Sequence, residues 1–315
     1  MAETKVVLNH DAAIDEYMAT LLLTTMDDVE LQGIVITNAD CIAGPAMATA
    51  WRIQSFIGRT EIPLALSRAR GYNPFPWEYR GDCLKEAELP ALQWLGPNPE
   101  WPPYPDGDEL MTRLLREAPD GSVTLLVTCP MTTVAEVLKA NPELEAKIAR
   151  LIWMGGALHV AGNLDPTTLP TPVANPYAEW NAFWDPWAVD WIFRNTSFPI
   201  VVFPLDVTNQ AAITDDFMSE LLIQGKRYRY SDLAYQSYDL VANESFYDMW
   251  DVVTTCYITR PHLFEAPAPM RLAIITAEEN QGSLVESPEG RKVQVVLDLA
   301  DPSGFYDYVL RQFQR

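Results

Sequence analysis

Apolar positions along this chain fall into two alternating rhythms. Lys5 to Leu8 is a short apolar run, after which the chain turns polar at Asn9-His10-Asp11. From Asp15 to Met26 the apolar residues recur at helical spacing. The same sequence of run, polar turn and helical pattern returns at Leu31 to Thr37 with Ala46 to Ile57, and at Ser122 to Thr128 with Thr133 to Lys139. A further run occupies Leu151 to Met154. Strands that alternate with helices predict an α/β fold around a mainly parallel sheet flanked by helices. In such sheets ligands bind beyond the carboxyl ends of the strands, so the residues that follow each apolar run matter most.

Two stretches interrupt the rhythm and are expected to be long active-site loops: residues 66 to 105, with eight of the 25 prolines, and residues 162 to 178, with Pro166, Pro170, Pro172 and Pro176. Strand and helix patterns resume on both sides of each, so one domain spanning residues 1 to 315 is expected. Residues 271 to 276 and 292 to 298 read as late strands. Asp301 to Gln314 reads as a closing helix, with Asp301 as N-cap and Pro302 in its first turn.

Composition narrows the function classes. Forty-eight per cent hydrophobic residues exclude a wholly disordered chain, and a formal net charge of -21 repels polyphosphate backbones and anionic lipid, so neither nucleic acid nor membrane is an expected partner. Cys41, Cys83, Cys129 and Cys256 are too scattered for a zinc pair or a disulfide framework. Met1 to Lys5 leads straight into the first strand without an apolar leader, and no apolar stretch approaches membrane-spanning length. The expectation is a cytoplasmic protein.

The polar turns carry the chemistry. The first, Asn9-His10-Asp11-Ala12-Ala13-Ile14-Asp15-Glu16, places three carboxylates within six residues. Capping of the following helix would account for Asp15 and Glu16. Asp11 belongs to the turn, and carboxylates converging there repel unless they share a cation; an oxygen-only donor set points to calcium or magnesium. A phosphoryl-aspartate mechanism would need an acid at the first position of the loop, where Asn9 stands. The other turns are Asn38-Ala39-Asp40-Cys41, Val127-Thr128-Cys129-Pro130, the stretch from Met154-Gly155-Gly156 through Asn163 to Ala178-Glu179-Trp180-Asn181, and Phe246-Tyr247-Asp248-Met249-Trp250-Asp251.

Taken in order, these five segments resemble the calcium-dependent nucleoside hydrolase family, whose members cleave the N-glycosidic bond of ribonucleosides with water. The family opens with a DxDxxxDD box, which here reads Asn9-His10-Asp11-Ala12-Ala13-Ile14-Asp15-Glu16. Leu8 to Asp11, Ala39 to Cys41, Asn73-Pro74-Phe75-Pro76 and Ala178 to Asn181 are most similar to the purine-preferring inosine-adenosine-guanosine branch. The resemblance implies an open, mixed but mainly parallel sheet of Rossmann-like type, and a calcium ion held by Asp11, Glu16, Asp251 and the main-chain carbonyl of Thr128. It implies that Asp11 is also the general base for the attacking water. Asp15, Asp40, Asn163, Glu179 and Asn181 would bind the ribose, with Met154 beneath the sugar. Trp250 and Tyr79 would stack on the base. A nucleoside substrate and a homodimer or homotetramer are implied as partners.

This sequence departs from the family pattern at Glu16, Ala12-Ala13, Asn9, Cys129 and Thr133. His10, His159 and His262 are not expected to be metal ligands, although His10 could hydrogen-bond within its loop. The expected activity is hydrolysis of purine ribonucleosides. The alternatives are a broad or pyrimidine-preferring nucleoside hydrolase and a non-catalytic protein that binds calcium and a ribosyl ligand.

Overall fold

A computed structural model describes residues 3 to 315, except residues 76, 78, 94, 97–98, 100–103, 166–168, 170–173 and 245. Pro76 of the Asn73 segment and Pro166, Pro170 and Pro172 of the second long loop lie outside the described residues. The apolar runs form strands β1 (Thr4–His10), β2 (Val29–Ile36), β3 (Leu64–Leu66), β4 (Val123–Thr128), β5 (Ile148–Met154) and β6 (Ile200–Phe203). A last group comprises β7 (Ala268–Ile274), β8 (Leu284–Glu286) and β9 (Arg291–Val295). All nine make one sheet in the order β3-β2-β1-β4-β5-β6-β9-β7-β8. Every pairing from β3 to β9 is parallel, and β7 runs antiparallel to both β9 and β8.

The runs are apolar because both faces of the sheet are covered. Val6 and Leu8 of β1 point into one core layer and Val7 into the other; Leu126 and Leu125 of β4 divide in the same way. Helices Ile14–Leu23, Ala43–Ile57, Trp250–Cys256 and Pro302–Gln312 cover the first face. Gly107–Glu117, Thr132–Ala140 and Pro186–Asn195 cover the second. The closing helix has the expected cap, with the Asp301 side chain accepting from the Gly304 N–H. The strand order reverses between β1 and β4, so the chain leaves their carboxyl ends in opposite directions and opens a crevice there.

The first proline-rich stretch is more ordered than its composition suggests. It holds a 3-10 turn at Tyr79–Gly81 and short helices at Asp82–Ala87 and Pro90–Gln93. These pack Cys83, Leu89 and Leu92 against the Ala43–Ile57 face, and the Thr49 hydroxyl donates to the Cys83 carbonyl at 2.8 Å. Helices of six and four residues are too short for an apolar period to show. The β7–β9 region also differs from the expected spans, because the chain between the two anticipated strands adds β8 as an edge strand on the far side of β7.

Glu86, on the first of these short helices, is fully buried. One carboxyl oxygen accepts from the Ser237 hydroxyl at 2.7 Å and the other has no partner. Burial, with help from Asp82, pushes its pKa from 4.5 up to about 8, so the folded protein holds a proton that the unfolded chain has released. Stability should therefore fall as pH rises from 4.5 to 8, costing on the order of 3 kcal/mol at pH 7. Glu86→Gln should stabilise the protein by that order in denaturant melts at pH 8 and by almost nothing at pH 4.5. Equal effects at both pH values would contradict this account.

Candidate active site

The site is assembled by the sheet topology. Asp11 follows β1, Asp40 follows β2, and Thr128 and Met154 end β4 and β5, so residues 26 to 117 apart in sequence meet at the ends of adjacent strands. The turn after β1 is tight: Ala12 has φ 73°, a left-handed conformation that costs a side-chain-bearing residue roughly 1–2 kcal/mol. His10 holds it, because its buried Nδ1 accepts the Ala12 N–H at 3.1 Å, as the sequence anticipates. Burial lowers the His10 pKa to about 3, which keeps the ring neutral and this acceptor available. The Asp40 N–H donates to the Asp11 carboxylate at 3.2 Å, and Cys41 N–H donates to the Asp11 carbonyl at 3.1 Å.

Asp11, Glu16 and Asp251 are buried together, close enough for their carboxyl groups to act on one another. Burial raises the Asp11 pKa to about 6, against Glu16 and the Asp40 N–H, which lower it. Glu16 is held well above the usual carboxylate range by burial and then by the negative charges of Asp251 and Asp11. Asp251 is raised by burial and then by Asp15 and Asp11, and its Oδ1 has no partner. Among the described residues, no three His, Cys, Asp or Glu are already spaced as a metal cage. The donor set nonetheless fits a hard cation: it is all oxygen, it contains a buried orphaned carboxylate atom, and a positive ion would relieve its internal repulsion. Thr128 sits beside His10 in the sheet, and its hydroxyl is buried without a partner.

Asp15, expected from the sequence to bind the ribose, has both carboxylate oxygens hydrogen-bonded within the protein. Its Oδ2 accepts the N–H groups of Asp251 (2.6 Å) and Val252 (3.0 Å), and its Oδ1 accepts the Tyr238 hydroxyl at 2.7 Å. It does not line the cavity. Its carboxylate instead satisfies the start of helix Trp250–Cys256 and thereby fixes Asp251, a role invisible in sequence because the partners lie more than 220 residues away.

Asp11, Glu16, Asp40, Met154, Asn163, Glu179, Asn181, Tyr79, Trp250 and Asp251 all line one cavity of about 620 Å³. Glu179 caps helix Trp180–Trp184, accepting N–H groups of Asn181 (2.8 Å) and Ala182 (3.1 Å), and also accepts Gly156 N–H at 2.8 Å. Burial raises its pKa to about 7 despite those bonds. Asn181 donates to the Met154 carbonyl at 3.1 Å, and Asn163 accepts the Trp180 N–H at 3.2 Å. Gly162 permits this arrangement: a Cβ there would sit 2.1 Å from the Ala178 carbonyl oxygen.

Aromatic rings wall the cavity. Trp180, Phe75, Tyr79 and Phe246 form a continuous edge-to-face string with centroid spacings of 4.9, 6.3 and 6.2 Å, and Tyr247 lies 4.7 Å from Trp250. Sequence reasoning assigned roles to only two of these rings. Phe75, Trp180, Phe246 and Tyr247 do stand in the same quoted segments, and that proximity was the available signal. Asn209, which accepts the Trp250 ring N–H at 3.3 Å, and Glu244 lie outside every motif. None of the three histidines lines the cavity.

Comparison with known proteins places this geometry. A family model described as "Inosine-uridine preferring nucleoside hydrolase" matches residues 6–307. The crystal structure of an inosine-uridine preferring nucleoside hydrolase from Bacillus anthracis is 33% identical, with 99% of each chain covered and a TM-score of 0.89. The pyrimidine-specific ribonucleoside hydrolase RihA of Enterobacter sp. is 32% identical over 211 residues; the match spans 66% of this chain and 62% of that relative's length. A purine-preferring ribonucleoside hydrolase from Gardnerella vaginalis shares the fold, with a TM-score of 0.81 at 19% identity. On a match that runs nearly end to end, this chain belongs to the inosine-uridine preferring nucleoside hydrolase family.

Proposed function

We propose that the protein hydrolyses the N-glycosidic bond of ribonucleosides, releasing ribose and the free base. The observation that carries this reading is the sharing of one cavity by the buried Asp11, Glu16 and Asp251 carboxylates and by the rings of Tyr79 and Trp250. Asp11, Glu16, Asp251 and the Thr128 carbonyl would hold a calcium ion, which when bound supplies positive charge to orient the ribose hydroxyls and make the attacking water more acidic. Asp11 accepts a proton from that water as its oxygen attacks C1′. The C1′–N bond breaks, its electron pair leaves with the base, and the base takes up a proton from solvent, to which Asp11 returns the one it accepted. Positive charge that develops on the ribosyl ring is stabilised by Asp40 and Glu179, while Asn163, Asn181 and Met154 hold the sugar. The homo-oligomer implied by the family resemblance belongs to the same proposal.

The flat faces of Tyr79 and Trp250 support a purine preference, since stacking contributes roughly 0.5–1.5 kcal/mol beyond burial and grows with ring area. The names of the Enterobacter and Bacillus relatives favour the second reading, an enzyme that accepts or prefers pyrimidines.

Release of ribose from a panel of inosine, adenosine, guanosine, uridine and cytidine tests the reaction and separates the two preferences. Turnover of inosine at least tenfold above uridine, with Trp250→Ala lowering inosine turnover the more, supports the purine preference; the reverse order supports the pyrimidine one. Absence of turnover on every member would leave the non-catalytic alternative. Metal analysis should find about one calcium ion per chain. Chelation should lower the thermal midpoint and added calcium restore it, by about 2.7 kcal/mol at a hundredfold excess over Kd; zinc, or no thermal response, would refute the assignment. Asp11→Asn should reduce kcat by two or more orders of magnitude with the fold retained, and near-normal turnover by a calcium-loaded Asp11→Asn protein would remove Asp11 as the base.

A further inference from the structure

Carboxylates at the floor of the cavity answer to a cation and a developing ribosyl charge, but those near the stacking rings do not. Asp82, Glu244 and Asp248 also line the cavity, and they come from the segments that carry Tyr79, Phe246 and Trp250. No Lys, Arg or His is among the described lining residues. Lys85 offsets Asp82 at 2.8 Å, and the Arg80 guanidinium, bonded to the Ala39 carbonyl at 2.8 Å and the Asn38 side chain at 3.2 Å, offsets Asp11 and Asp40 at the floor rather than the acids near the rings. One Glu244 oxygen and one Asp40 oxygen are buried without partners. Burial and then Asp82 raise Glu244, with Lys85 opposing, and burial and then Asp15 raise Asp248 to about 7.

Four edge-to-face rings and the Tyr247–Trp250 pair enclose the same space. Ring faces carry negative quadrupole density, so carboxylates and aromatic walls together favour a delocalised cation and disfavour the carbonyl-rich edge of a neutral base. We propose that the base end of this cavity selects ribosides whose heterocycle is itself cationic, an N-ribosylpyridinium or an N7-alkylated purine riboside. This rests on the ribosyl hydrolase reading above and replaces ring size by charge as the selected property. The chemistry balances without an acid at the leaving group. Water adds its oxygen to C1′ and gives a proton to Asp11, the C1′–N bond breaks, and its electron pair neutralises the ring nitrogen, so the heterocycle departs neutral. A cavity without a histidine is suited to such a leaving group.

Binding separates charge from leaving-group reactivity. Tryptophan-fluorescence titration with the 1-methyl-3-carbamoylpyridinium cation and with its neutral isostere 3-methylbenzamide should show at least tenfold tighter binding of the cation, weakening as NaCl rises while the isostere is unaffected. Glu244→Gln should shrink the cation-to-neutral ratio at least fivefold. Release of ribose from 1-ribosyl-3-carbamoylpyridinium, 7-methylinosine, inosine, uridine and 4-nitrophenyl riboside then identifies the source: a pyridinium optimum points to a single ring, a 7-methylinosine optimum to a purine. Equal binding of the two isosteres, or a ratio insensitive to salt and to Glu244→Gln, overturns the proposal even where 4-nitrophenyl riboside is hydrolysed. Failure to release ribose from any of the five defeats the underlying ribosyl hydrolase reading instead.

Discussion

The mutual repulsion of Asp11, Glu16 and Asp251 is the constraint around which the rest of the molecule is arranged. Three acidic groups are held out of water at one point, and burial alone already disfavours their ionisation. Such a cluster survives only where a rigid frame over-determines it. The central parallel strands supply that frame, with β1 hydrogen-bonded on both sides along its length. Asp15 ties the third acid to the first two: it leaves helix Ile14–Leu23 and seizes the amide groups at the start of the helix that carries Asp251. The acidic box is therefore divided by role, with Asp11 and Glu16 facing the cavity and Asp15 turned to the scaffold behind it.

A second polar layer supports the turn from beneath and gives the unusual residues of this chain a common explanation. Asn9 donates to the Val35 carbonyl and to the Thr37 hydroxyl, each at 2.9 Å. Thr37 in turn bonds Thr133 at 2.7 Å, and the Cys129 thiol contacts the Asn9 carbonyl at 3.4 Å. A carboxylate at position 9 has no proton to offer a carbonyl and would add another buried negative charge beside Asp11. An amide can donate there, and small hydroxyl and thiol partners complete the packing. Asn9, Cys129 and Thr133 are one set of contacts rather than three separate departures.

The cavity is thus graded from a floor of crowded acids through a polar middle of Asn163, Glu179 and Asn181 to a mouth of rings and further acids. Each zone is built by a different part of the chain. Strand ends make the floor, the Gly162 approach brings the 163 and 179–181 segments into the middle, and the helical turns near Tyr79 and Trp250 make the mouth. This separation lets the mouth change its chemistry without disturbing the buried acids, which depend on the sheet.

Sequence alone determined the alternation of strand and helix, the closing helix with its Asp301 cap, and the segments from which nearly all the cavity is drawn. These are local properties: a strand buried on both faces must be apolar, a cap must be polar, and residues beyond strand ends are free to carry chemistry. Tertiary structure decided what local pattern cannot encode. The antiparallel β7–β9 edge and the short helices after Tyr79 follow from packing rather than period. The hydrogen bonds of the Asp15 carboxylate to Tyr238 and to the 251–252 amides exist only once residues 15 and 251 are folded together. Glu244, Asp248 and the ring string became visible for the same reason: neither a field nor a wall belongs to any one residue, and both arise only when distant segments enclose a common space.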